Sequence, residues 1–160
     1  MDLTLPCPDG ILNVRVAAVV VASDGRLLLQ GDPRFDFLVP PGGRCRLNED
    51  TRAALQRELT EELGPGLTVG RMLWIIENFF TLEGRRYHEF TFVYRATLDD
   101  KPAFLARGDR FDFTDGGNAL FFTWVPPDAL PGLTVYPEVL RTRAHDLPAG
   151  IEHLVVHTVS

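Results

Sequence analysis

Hydrophobic positions along this chain change their period several times, and each change marks an element. Ile11 to Ala22 is aliphatic throughout, interrupted only by Asn13 and Arg15, as expected of a strand covered on both faces. Ser23-Asp24-Gly25 reads as a turn, and Arg26 to Gln30 as the returning strand of a hairpin. Gly31 to Phe35 is a loop by its Gly and Pro. Phe37-Leu38-Val39 is a short strand stopped by Pro40-Pro41-Gly42-Gly43. The period then becomes helical: Leu55, Leu59 and Leu63 recur every four residues and predict one buried stripe. Asn48 is the expected N-cap, with Glu49 and Asp50 in the first turn and Gly64-Pro65 as the stop.

Beyond the helix, Gly70 to Thr81 and Arg85 to Thr97 predict a second hairpin across Leu82-Glu83-Gly84. Strand alternation places Tyr87, Glu89 and Thr91 on one face, and His88, Phe90 and Phe92 on the other. Phe90 and Phe92 are expected in the core, as is Trp124. Leu98 to Asn118 is polar, with Gly108, Gly116, Gly117 and several aspartates, and reads as a long loop. Ala119 to Val125 is a strand, Pro126 to Leu130 a short helical turn, Pro137 to His145 a helix opened by proline, and Ile151 to Val159 a terminal strand. No repeat or boundary divides residues 1–160. The expected fold is a single α/β domain, with a mixed β-sheet sandwiched between helices.

Composition narrows the partners. The chain has 160 residues, 45% apolar and 24% charged, the proportions of an ordinary soluble domain. A net charge of −6 with no Lys/Arg-rich stretch argues against a stable nucleic-acid partner, although a few arginines could still meet an RNA end. Two cysteines, Cys7 and Cys45, without ligand spacing point to a reducing cytoplasm. MDLTLPCPDG lacks a signal-peptide pattern, and the longest apolar run, Ala17 to Ala22, is too short to cross a membrane.

The chemistry lies in Gly43 to Gly64, GRCRLNEDTRAALQRELTEELG. At about 100° per residue from Leu59, Glu62, Glu58 and Glu61 fall at roughly −60°, −100° and −160°. Three acids therefore share one flank in the last two turns, where each faces the negative end of the helix dipole at about 0.3–1 kcal/mol. Two such charges about 4 Å apart repel by about 4 kcal/mol at an effective dielectric of 20. The cluster needs protonation, arginine partners or a metal ion. Oxygen donors of this kind suit Mg²⁺ or Mn²⁺.

The run resembles the Nudix box. Gly43, Glu49, Arg57, Glu58, Leu59, Glu61, Glu62 and Gly64 fall in its register, and Pro65 stands where an aliphatic is expected. The resemblance implies the Nudix fold and hydrolysis of a nucleoside diphosphate linked to another moiety, with Mg²⁺ or Mn²⁺. It further implies that Glu58, Glu61, Glu62 and the Gly42 carbonyl hold the metal, with Glu58 as an alternative orienter or base for the attacking water. Arg57 would fix the glutamate rotamers, and Glu49 would support Arg57 and the loop beside Gly43. A small-molecule nucleotide is the implied partner, and homodimers are common in the family.

Outside the box, Arg15, Arg34, Phe35 and Arg44 are candidates for phosphate or base. Glu77 or Glu89 is a candidate to approach the metal site or the substrate, with a position at the rim as the alternative. Asp112 and Glu138 are candidates for a remote general base, and Cys45 is read as incidental. The proline that marks ADP-ribose hydrolases about fifteen residues past the box is absent near Phe79-Phe80, so the reaction class emerges without the substrate. Two alternatives remain: a Nudix-fold nucleotide sensor without turnover, and the isomerase chemistry of isoprenoid enzymes that share this fold. Intact glutamates weigh against the first, and missing isomerase motifs against the second.

Overall fold

Val16 to Val20 shows why the first apolar run has no alternation. Val16, Ala18 and Val20 belong to one core with Leu55, Leu59 and Leu63, whereas Ala17 and Val19 belong to a second core with Trp74 and Leu140. In the computed structural model, which describes residues 1–158, that strand is β2 (Gly10–Val19). It lies inside a six-stranded mixed sheet ordered β1-β2-β7-β6-β10, with β5 also paired to β2. The strands are β1 (Thr4–Cys7), β5 (Gly42–Arg44), β6 (Leu67–Leu82), β7 (Arg85–Leu98) and β10 (Glu152–His157). β2 runs parallel to β7, β10 parallel to β6, and β6 antiparallel to β7. The helix α1 (Thr51–Leu63) covers one face, and the short α2 (Val139–Arg143) the other. No helix is long and apolar enough to cross a membrane among the described residues.

Four corrections follow from the packing. The first expected hairpin closes at its turn, where the Ala22 amide donates to the Arg26 carbonyl at 2.8 Å. Its strands then part: β3 (Leu27–Gly31) joins a separate antiparallel sheet ordered β4-β3-β9-β8. That sheet contains β4 (Leu38–Val39), β8 (Arg110–Asp115) and β9 (Asn118–Val125). The 98–118 segment is therefore not a long loop. It holds a 3-10 turn (Ala103–Arg107) and β8. Phe111 and Phe113 point inward on alternate positions against Phe122, with centroids 5.4 and 4.5 Å away. Gly116 and Gly117 close the β8–β9 hairpin at φ 55° and 83°, values that a two-residue turn of this kind demands.

The third correction concerns the helix start. Asp50, not Asn48, is the N-cap, accepting from the Ala53 amide at 2.9 Å, while Asn48 takes φ 66° in the preceding turn. No acid lies in the first turn. Fourth, β1 is an unforeseen exposed edge strand, a position that tolerates its Pro6. Elsewhere the elements agree with the pattern within a few residues. The helix expected from Pro137 is shorter, with Glu138 at its N-cap, and the short turn after β9 is a 3-10 turn at Leu130–Gly132. Val159, the expected end of the last strand, lies outside the described residues.

Candidate active site

Glycines at 42 and 43 let β5 lie against both β2 and the helix. A Cβ on Gly42 would stand 2.0 Å from the Val16 carbonyl oxygen, and one on Gly43 would stand 2.3 Å from Cδ of Glu58. The Glu58 carboxyl therefore rests directly on the Gly43 backbone. Along the ladder, the Cys45 amide donates to the Val14 carbonyl at 3.0 Å and the Ala18 amide to Pro41 at 2.8 Å. By antiparallel alternation, the Gly42 and Arg44 carbonyls turn away from β2, toward the edge where β5 has no second strand partner among the described residues. Arg44's carbonyl takes Nη2 of Arg57 at 3.1 Å.

Arg57 organises the start of the cluster. Its Nε and Nη2 donate to the two Glu49 oxygens at 2.6 and 2.8 Å, a bidentate pair. Its Nη1 reaches Glu58 at 2.8 Å and Glu61 at 3.3 Å. Glu49 also accepts from the Arg46 amide at 3.1 Å, tying the turn before α1 to the helix. Hydrogen bonding to Arg57 holds the Glu49 carboxyl down to about 2. Burial raises that of Glu58 despite the same guanidinium.

Glu62 stands apart. Its Oε2 is closed to solvent and has no hydrogen-bond partner among the described residues. Burial pushes its carboxyl up to about 8, helped by the charges of Glu58 and Asp115 and opposed by Arg15. Asp115, at the tip of the β8–β9 hairpin, is the acid that sequence reasoning missed; Asp112 is exposed on the same strand. The polar look of that segment hid the hairpin that delivers Asp115. With Glu58 and Glu61 turned onto Arg57, no three acidic, histidine or cysteine side chains converge into a ready ion cage among the described residues.

A cavity of about 320 Å³ opens on the α2 face of the six-stranded sheet. Arg15, Asn78, Glu89 and Thr91 are among its polar lining, and Phe37, Tyr136 and Ile76 among its apolar walls. Phe35 stays outside the lining and stacks on Phe37, centroids 5.4 Å apart. Arg34 pairs with Asp32 at 2.6 Å. Arg44 is exposed away from the cavity. Glu77 accompanies His88 at 3.1 Å and His153 at 3.4 Å on the opposite sheet face. Glu138 is exposed and does not line the cavity. Cys45 is buried, and burial pushes its thiol up to about 11, far from a nucleophile's range.

Residues 12–144 match the model of the NUDIX domain, most of the chain. The chain belongs to the Nudix family. Its Nudix box is the Gly43–Gly64 run, with Gly43 on β5, Glu58, Glu61 and Glu62 on α1, and Gly64 at the C-cap of that helix. Solved structures agree on the fold. A NUDIX hydrolase from Nitrosomonas europaea superposes with a TM-score of 0.62 at 15% identity, covering 96% of this chain and 82% of that one. A MutT protein from Methanosarcina mazei Go1 gives 0.59 at 16%, covering 88% and 94%. An ADP-ribose pyrophosphatase from Streptococcus suis 89-1591 gives 0.57 at 14%, covering 90% and 98%. No curated protein sequence matches.

Proposed function

We propose that this Nudix chain is a Mg²⁺- or Mn²⁺-dependent pyrophosphohydrolase acting on a nucleoside diphosphate linked to another moiety. One observation carries the reading: a glutamate oxygen on the Nudix helix is buried with no partner among the described residues, beside other acids. Leaving such a group unpaired costs about 1–3 kcal/mol, more when it is charged. A dication at that place would remove the cost and the repulsion together.

The donor set fits a hard cation. Glu58, Glu61, Glu62 and the outward-turned Gly42 carbonyl are all oxygen donors. When bound, the ion supplies charge neutralisation at phosphate oxygens and makes water more acidic. The chain's own residues do the rest. Glu49 pins Arg57, and Arg57 Nη1 holds Glu58 and Glu61. Gly43 leaves room for the Glu58 carboxyl, to which we assign orienting or deprotonating the attacking water. Arg15 lines the cavity and also acts electrostatically on Glu62, and its guanidinium suits a bridging phosphate.

All three helix glutamates are present, which speaks against the sensor alternative. Product analysis with a substrate panel tests the proposal: nucleoside triphosphates, ADP-sugars, CDP-alcohols, dinucleoside polyphosphates and capped RNA, each with Mg²⁺ and with Mn²⁺. Metal-dependent release of a nucleoside monophosphate or of pyrophosphate is expected from at least one. Inertness toward all of them contradicts it.

A further inference from the structure

The cavity floor carries more hydrogen-bond acceptors than the chain satisfies. Asn78 and Glu89 are partners across β6 and β7 and both line the cavity. Glu89 is 8% exposed. One of its oxygens accepts from Asn13 Nδ2 at 2.7 Å, the other from the Thr91 hydroxyl at 3.1 Å. A carboxylate offers about four lone-pair positions, so about two remain open. Asn78 Oδ1 is shut off from solvent and has no partner among the described residues. Arg15 is the one cationic side chain in the lining among the described residues.

The walls restrict what can bring donors to that floor. Phe37, Val39, Ile76, Phe80 and Tyr136 line the space, and Tyr136 meets Phe37 edge-on with centroids 5.4 Å apart. Apolar and aromatic walls over a polar floor suit a flat ring with its hydrogen-bonding edge directed inward. Adenine and cytosine would each present one amino donor beside a ring-nitrogen acceptor, which would meet the carboxylate lone pairs head-on. Uracil has a single N–H between two carbonyls. Guanine carries two adjacent donors, N1–H and the 2-amino group.

We infer that this cavity selects guanine, with Glu89 reading the N1–H and 2-amino edge and Asn78 supplying a further acceptor. Asn13 and Thr91 act as positioning residues that hold the Glu89 carboxylate in place. The inference rests on the hydrolase reading only for what happens at the phosphate end. It makes guanine nucleotides the substrate class and Glu89 the specificity determinant.

Calorimetric binding of GMP, IMP, AMP and UMP to the metal-free protein tests base recognition apart from turnover. GMP is expected to bind about tenfold or more tighter than IMP, which lacks the 2-amino group, and tighter than AMP or UMP. Glu89→Gln should bring GMP to the IMP level while changing AMP less than about twofold. Asn78→Ala should weaken GMP several-fold. Melting curves check that each variant folds; should Glu89→Gln not fold, the wild-type ranking and Asn78→Ala decide. Equal affinities, no binding by any nucleotide, or an intact GMP preference in Glu89→Gln would overturn the inference. Hydrolysis without guanine preference would refute this inference and leave the hydrolase reading standing. Guanine preference without hydrolysis would do the opposite.

Discussion

At the start of α1, Glu49 takes two N–H groups of Arg57 and the Arg46 amide, and its carboxyl lies near 2. At the far end of the same helix, Glu62 keeps one oxygen with no partner among the described residues, and burial lifts its carboxyl to about 8. Both acids belong to one motif, yet one is fully compensated and the other is not. The difference separates two jobs. The first region holds its shape in the chain alone, whereas the second leaves one acid oxygen uncompensated among the described residues. Compensated acids make a frame, and on the proposed reading the uncompensated one is where a cation binds.

The contrast can be broken most strongly at Glu62. Glu62→Gln should lower kcat by more than about a hundredfold, beyond what loss of an outer partner of a metal ligand costs, with circular dichroism unchanged. The same variant should be steadier than wild type without metal at alkaline pH. Because the folded carboxyl lies above its ordinary 4.5, its share of stability is full below about pH 4.5 and drains as pH rises toward 8. Melting temperature of the metal-free wild type should fall across that window, and that of Glu62→Gln should fall less.

The framed end predicts a different loss. Arg57→Ala leaves Glu49 and Glu58 without their guanidinium and should cost about 2–4 kcal/mol, at the low end because the pair is partly hydrated. Urea unfolding measures it. Gly43→Ala would bring a methyl against the Glu58 carboxyl. An activity loss of about tenfold or more is expected, with a melting shift of only a few degrees; equal losses of fold and activity would count against the packing argument. The smallest effect is at acid pH. Glu49 has a depressed folded pKa, so its contribution is present above about 4.5 and lost as pH falls toward 2. Glu49→Gln should flatten the acid limb of the stability curve, and an unchanged limb would show that the Arg57 pair contributes little.

The sequence reveals the framed region more clearly than the ligand end. Leucines at 55, 59 and 63 announce the buried stripe, and all three are buried. Gly43 and Gly64 are legible because close approach and a φ of 76° require them. Asp115 was hidden for a physical reason: its strand β8 turns Phe111 and Phe113 inward between polar outward positions, so its composition resembles a loop. Local spacing cannot show that β2 and β3 part into different sheets, because β3 finds its ladder partner in the distant β9 while Val16 and Leu28 still share one core with Leu55 and Leu59. Nor can it show that Asn78 meets Glu89, since that pairing depends on the β6–β7 register and its irregularity between Val69 and Trp74.

Equilibrium binding of Mn²⁺ by wild type and Glu62→Gln, followed by calorimetry at pH 7 without nucleotide, tests the central claim most directly. The account predicts saturable binding by the wild type and affinity at least about tenfold weaker in the variant. Indistinguishable binding by the two proteins would contradict it.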